Sequence, residues 1–277
     1  MAIALGLLAA AFYGSADFCG GIATKRSGMW AVAILSQVAG LVFLLACWPF
    51  LGGHAGRADY QWGLLAGVCG GLGVALLYHA LSIGKMGIVS PVTAVLAAAT
   101  PVVVQTWRGE RLQVIQFAGI IVVLLALVLI SLSREENGRR EFQTAGLREA
   151  IISGIVLGGF YLFLARAGAH SGLQPLLSAR VASAAFLTLM ALALKKPPAP
   201  TLRDMPLVIF CGALDMLANM LYLLAVMRGY ISIAAVLTSL YPAATVLLAS
   251  LLLRERLATV QYLGLGLALG GVGLISL

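Results

Sequence analysis

Four ionisable side chains stand deep inside otherwise apolar stretches of this sequence: Asp17, His79, Arg180 and Asp215. An Asp or Arg at the depth of a bilayer costs at least roughly 2.5–3.5 kcal/mol, so each of these groups calls for a partner or a task. A carboxyl such as Asp17 or Asp215 can take up a proton or hold a substrate amine. It can equally form a structural ion pair or cap a neighbouring helix. Arg180 is the natural ion-pair candidate, and spacing leaves open which aspartate it meets. The imidazole of His79 can relay a proton, hydrogen-bond a substrate carboxylate, or simply bond a neighbouring hydroxyl.

Other polar residues follow these four at helical spacing. Tyr13, Asp17, Gly20 and Thr24 share one face, as do Asp215, Asn219 and Tyr222. Ala75, His79 and Ser82 share a third, with Tyr78 beside them. Such faces are expected to look into a bundle rather than at lipid. Tyr13, Tyr78, Tyr161, Tyr222 and Tyr241 supply aromatic area with a polar tip, suited to lining a pocket or to plain packing. Trp48 and Trp62 are placed as interfacial anchors. Pro101 and Pro242 each remove a backbone donor inside a predicted helix, giving a static kink or a turn that bends as a gate. Gly63, Gly67 and Gly71 form a ridge of close approach on the third helix. Gly266 and Gly270 form another on the last, which reads as internal packing ahead of a dimer contact.

The elements that must position these groups are membrane helices. The 277 residues are 61% hydrophobic and 10% charged, with mean hydropathy +1.03. A soluble domain carries about a quarter charged residues. Apolar runs of the length a span needs fall at roughly 3–24, 31–51, 61–83, 87–107, 113–133, 148–168, 173–194, 206–227, 231–253 and 259–277. That leaves short loops and no room for a soluble domain. The N-terminus enters its first apolar run without a basic segment and reads as a retained helix rather than a cleaved signal. The net charge of +8 is scattered between the runs, which argues against nucleic acid as a partner. Cys19, Cys47, Cys69 and Cys211 lie one each in four runs, so neither a disulfide framework nor a metal site is expected. No phosphate-binding glycine loop, metalloprotease or nucleophile-elbow motif occurs, so an enzyme or ATPase is not expected, and no cofactor.

The chain also repeats itself. Shifted by 145 residues, Ala80 to Leu132 lies on Ala225 to Leu277 without a gap. Glu110-Arg111-Leu112 meets Glu255-Arg256-Leu257, Gln116 meets Gln261 and Gly119 meets Gly264. Near the N-terminus the offset is 148, pairing Phe12-Tyr13 with Phe160-Tyr161. This divides the chain into a first repeat at 1–133, a linker at 134–147 and a second repeat at 148–277. Five spans per repeat is an odd number, so the second repeat enters the membrane in the opposite sense. The expected fold is therefore all-α: ten transmembrane helices in two inverted five-helix repeats. Inverted repeats of this kind suit alternating access, with a solute bound near mid-depth between the halves. A duplicated scaffold or lipid enzyme is the alternative from another class.

The Glu-Arg-Leu closing an apolar helix, with Gln and Gly opening the next, resembles the drug/metabolite transporter superfamily, EamA branch. The resemblance covers nearly the whole chain, with the motif in both halves and prolines in both its fourth and ninth helices. Arg180 in LSARVASAAF resembles an arginine often found in the second helix of each repeat, and the first repeat departs from it with Ser36-Gln37. The resemblance implies a multi-pass plasma-membrane transporter, monomeric or dimeric, exporting amino acids or related metabolites, with multidrug or cation export as the variant. It also implies cytoplasmic termini. Charge runs the other way: five Lys and Arg fall on the side of the termini and twelve on the opposite side, which favours external termini.

Overall fold

In lipid a backbone has no water to bond, so every amide must find its partner within the chain, and apolar segments of this length become helices. The computed structural model describes residues 1–50, 52–84, 86–130, 145–167, 169–196, 202–252 and 259–276. Among them the ordered elements are helices, without strands. They are α1 (Ala2–Ser27), α2 (Met29–Ala46), α3 (Arg57–Ile83), α4 (Met86–Trp107), α5 (Val114–Ile130), α6 (Leu147–Ala165), α7 (Pro175–Ala193), α8 (Met205–Val226), α9 (Ile231–Thr238), α10 (Tyr241–Leu252) and α11 (Thr259–Ser276). Seven spans, with α9 and α10 counted together, are long and apolar enough to cross a membrane. Three more, Val92–Trp107, Val114–Ile130 and Thr259–Ile275, are apolar and shorter. The fold is that of a ten-span protein in two inverted five-helix repeats. Most of the expected linker, 134–144, and the second Glu-Arg-Leu lie outside the described residues.

The halves interleave instead of standing apart. α1 lies along α8, and its counterpart α6 lies along α3. α4 packs on α6, and correspondingly α9 and α10 pack on α1. α2 meets α7, and α5 pairs with α11. Between consecutive spans the connections are tight. Gly28 alone joins α1 to α2, at φ 75, a left-handed conformation that a side chain would strain.

With lipid as apolar as leucine, helices associate by close packing, and glycine makes it possible. The α3 ridge lies on α7: a Cβ at Gly63 would meet the Pro175 carbonyl and Ser178 Oγ, and one at Gly67 the Ala179 carbonyl. On α11 the expectation is reversed. Gly264 and Gly271 face α5, where added Cβ atoms would press on Ile130 and Val123. Gly266 and Gly270 meet nothing among the described residues and point outward. The inward stripe is offset because residues two apart on a helix lie on opposed faces.

The ninth span is broken. Pro242 has no N–H, and its ring crowds the carbonyl four residues earlier, which favours a break in the helix just ahead of it. The chain turns at Ser239-Leu240, bridged by Leu240 N–H to the Leu237 carbonyl (3.2 Å) and Ala243 N–H to the Leu240 carbonyl (2.9 Å). α4 runs unbroken through Pro101. At the repeat offset of 145 Pro242 falls on Ala97, so the two prolines are one turn out of register.

The shared motif residues act as helix caps between repeats. Glu110 Oε1 accepts the Ser232 N–H in the first turn of α9 (3.3 Å), where the helix dipole favours a carboxylate. Gln261 Nε2 donates to the Ile130 carbonyl at the end of α5 (2.9 Å). Two more ties lie on opposite faces of the bundle and again relate the halves. Asp59 and Asp204 stand 145 residues apart at the starts of α3 and α8. Asp59 meets His170 Nε2 (3.2 Å), and Asp204 accepts from Ser27 Oγ (2.8 Å) with Arg26 alongside (3.5 Å).

Gly67→Val should drive a methyl into the α7 backbone and abolish a monodisperse, folded preparation, while Gly270→Val should leave the thermal midpoint unchanged. Size-exclusion profiles and melting curves of the two variants check this contrast. A second expectation concerns acid. Burial pushes the Glu110 carboxyl above the usual carboxylate range, only partly opposed by the Ser232 bonds. The folded chain thus holds that proton more tightly than the unfolded one. Glu110 therefore favours folding as pH falls through its raised pKa, and that contribution is lost above it. Glu110→Gln should flatten this part of the stability profile, read as melting midpoints across pH 4–8 (roughly the range in which a raised carboxyl titrates).

Candidate functional site

The interleaved halves leave a cavity between them, enclosing about 700 Å³ of non-atom space including what opens to the outside. Both repeats build it: Tyr13 and Asp17 come from α1, Gln37 from α2, Arg180 and Ser183 from α7, Asp215 and Asn219 from α8, and Tyr241 from the start of α10. Each of these positions lies well inside its span, so the chamber is at mid-depth.

Arg180 decides the electrostatics. Its guanidinium is buried and committed on two sides, donating to Gln37 Oε1 through one nitrogen and to Asp215 Oδ2 through another. Asn219 Nδ2 completes the group by donating to the Asp215 carbonyl (2.6 Å), with Asp215 Oδ2 at 3.4 Å. Asp215 is thus the partner that spacing left undecided. A buried pair of this kind survives desolvation only when its remaining donors and acceptors are also engaged, which Gln37 and Asn219 accomplish. Asp17 has no such arrangement. It is half-buried and lines the cavity, and no side chain among the described residues bonds to it or pairs with it.

Opposite the charged groups stands an aromatic wall. Tyr13, Phe160, Tyr161 and Tyr241 line the cavity, with the Tyr13 and Tyr161 rings edge to face at 6.4 Å and Phe160 5.5 Å from Tyr161. Three buried hydroxyls on the lining, Tyr13 Oη, Ser183 Oγ and Tyr241 Oη, have no hydrogen-bond partner among the described residues. A buried unpartnered hydroxyl is costly, and a polar ligand would satisfy it.

The structure places Tyr13, Asp17, Arg180, Asp215, Asn219 and Tyr241 around one cavity. Three expected residues are elsewhere. Tyr222 is fully buried behind the wall, its hydroxyl donating to the Tyr161 carbonyl (3.0 Å) and its ring 4.6 Å from Tyr161. Tyr78 is buried between α1 and α8, against Gly20 and Cys211. His79 is exposed on the outer surface of α3. The cavity face of α3 is Gly67, Gly70, Val74 and Leu77, an apolar stripe that gives no polar signal. Pro242 sits one residue beyond the lining residue Tyr241, and Pro101 is buried in α4 without touching the chamber. Gln37, Phe160 and Ser183 were not expected. Gln37 had a signal, since it replaces the arginine of the other repeat, and the other two had none. Among the described residues no group of His, Cys, Asp or Glu is placed to hold a metal ion.

A bundle of two inverted repeats around a mid-depth chamber, largely apolar with a few charged groups, defines the class of multi-pass membrane transporters. The chain belongs to the EamA-like transporter family, whose sequence profile matches residues 1–132 and 145–277. It is also similar to an uncharacterised protein of Methanocaldococcus jannaschii, MJ1333.1, at 30% identity over 135 residues, which are 48% of this chain and 97% of that protein. That relative is thus about the length of one repeat. A solved crystal structure shares the fold over 99% of this chain and 95% of its own, with TM-score 0.74 and 17% identity.

Arg180→Gln should leave the partly buried Asp215 carboxylate without its cation and cost about 1–3 kcal/mol. Adding Asp215→Asn should recover much of that loss. Thermal unfolding of the single and double variants in detergent measures both, and strict additivity would contradict the pairing.

Proposed function

We propose that this protein is a secondary transporter that exports amino acids, aromatic ones included, or related small metabolites, by alternating access around the central cavity. The observation that carries the reading is the cavity itself. It is shared by both repeats at mid-depth, and it sets one unpaired carboxyl, Asp17, against an aromatic wall, beside an ion pair already neutralised within the chain. A zwitterion with an apolar side chain fits that division: the amine to Asp17, the side chain to Tyr13, Phe160 and Tyr161. With no nucleotide-binding motif in the sequence, the drive is an ion gradient or the solute's own, and Asp17 is the group able to exchange a proton for substrate. The inner, or plasma, membrane is the compartment this role requires.

Export of cationic drugs is the second reading, favoured by the same unpaired carboxyl in a cavity lined by aromatic rings.

Purified protein in liposomes should move labelled phenylalanine or tyrosine when a pH gradient is imposed. Asp17→Asn should cut the gradient-driven component by about tenfold or more while leaving the protein folded (an ion-pair contribution near 1.4 kcal/mol is already tenfold). Absence of flux across a broad panel of amino acids and organic cations would end the transport reading.

A further inference from the structure

The cavity contains two carboxylates against one guanidinium, and the guanidinium is spent. Two nitrogens of Arg180 are engaged, by Gln37 and by Asp215, and its charge is shared with a carboxylate already in contact. A substrate carboxylate entering this chamber would be desolvated beside a cation that is already neutralised, and in the field of Asp17 and Asp215. It would gain little more than neutral hydrogen bonds, from guanidinium N–H groups left over or from the unpartnered hydroxyls of Ser183 and Tyr241. An ammonium group meets the opposite situation. Asp17 is an unpaired carboxyl in a largely apolar chamber, where a charge-assisted hydrogen bond is strong and has no internal competitor among the described residues. The aromatic wall adds ring faces, which attract a cation as well as an apolar side chain.

We propose that the site recognises its substrate by the amine and not by the carboxylate: the ligand class is a small primary amine bearing an apolar or aromatic group, Asp17 is the ammonium's counter-ion, and a carboxylate on the ligand is tolerated but not required. The inference rests on the cavity being the substrate site. It goes further in ranking ligands: a decarboxylated amine or an amino-acid amide binds at least as well as the parent amino acid, and blocking the amine abolishes recognition.

Four probes of one shape separate the groups: phenethylamine, phenylalanine amide, phenylalanine and N-acetylphenylalanine. Their affinities are measured by calorimetric titration of the full chain in lipid nanodiscs, and their flux by counterflow in liposomes. The first two should bind at least as tightly as phenylalanine, and N-acetylphenylalanine weaker than phenylalanine by about tenfold or more, the scale of one hydrogen bond to a charged group. Asp17→Asn should bring that ratio close to one, and Asp17→Glu should restore most of it. The wild-type ranking decides the matter even if the Asn variant misfolds. Equal binding of the acetylated and free amines, no binding by any of the four, or a ratio that persists in a folded Asp17→Asn protein would overturn the proposal. Amine-selective binding without flux would remove the transport reading and leave this one standing. Flux without amine preference would do the reverse.

Discussion

A guanidinium in the middle of a membrane bundle has to be neutralised by the chain itself, because no water is at hand to do it. Arg180 meets that demand with Asp215 from α8 and Gln37 from α2, so three helices from both repeats are fixed relative to one another around one charge. The same demand explains why the repeats differ here. Gln37 and Arg180 are 143 residues apart, close to the repeat offset, and they touch because α2 and α7 meet each other. Near-equivalent positions in contact across an approximate twofold face copies of themselves. Arginines in both would place like charges side by side, whereas a glutamine supplies the acceptor that an arginine needs. With Arg180 satisfied internally, Asp17 is left as the cavity carboxyl without a partner among the described residues.

Around that charge the bundle is held by small residues and by caps. Where lipid gives no hydrophobic force between helices, distance of approach decides which faces meet. Gly14 lets α1 lie against the Tyr241 carbonyl at the head of α10, and Gly63 and Gly67 bring α3 onto the backbone of α7. Glu110 and Gln261, the polar members of the repeated motif, satisfy helix termini in the other half. The features that identify the family therefore hold the two repeats together.

The spans and the repeat are legible in the sequence because both rest on strong contrasts: apolar against polar runs, and one uncommon motif occurring twice. The site is legible only in part, and the reason is physical. In a soluble helix the apolar stripe marks the inside, but α3 and α8 are apolar nearly all round, so a polar residue is the only marker of a face. A polar residue in a membrane helix may look into a chamber or into a neighbouring helix, and spacing does not distinguish the two. Asp17, Asn219 and Asp215 look into the chamber. Tyr222 and Tyr78, at equally regular spacing, look into neighbours. His79 looks outward, because the glycines of α3 claim the inner faces for α7 and for the cavity. Gly266 and Gly270 mislead in the same way, since a glycine spacing shows where a close approach is allowed and not where it occurs.

One difference between the halves bears directly on the chamber. α4 and the α9–α10 span occupy equivalent places, each against the first helix of the other repeat, yet only the latter is broken. Pro242 falls on Ala97 in the repeat frame, so the second half loses its backbone bond a full turn earlier than Pro101 does in the first. The break places Tyr241 at a helix start on the cavity wall, and it leaves the hydroxyls of Thr238, Ser239 and Tyr241 buried without partners. Buried groups in that condition are stable only where the packing around them over-determines their position, or where another arrangement satisfies them. Eight residues make up α9, pinned at one end by Glu110 and jointed at the other beside Tyr241, and Ser232 to Thr238 are buried against α1 and α4.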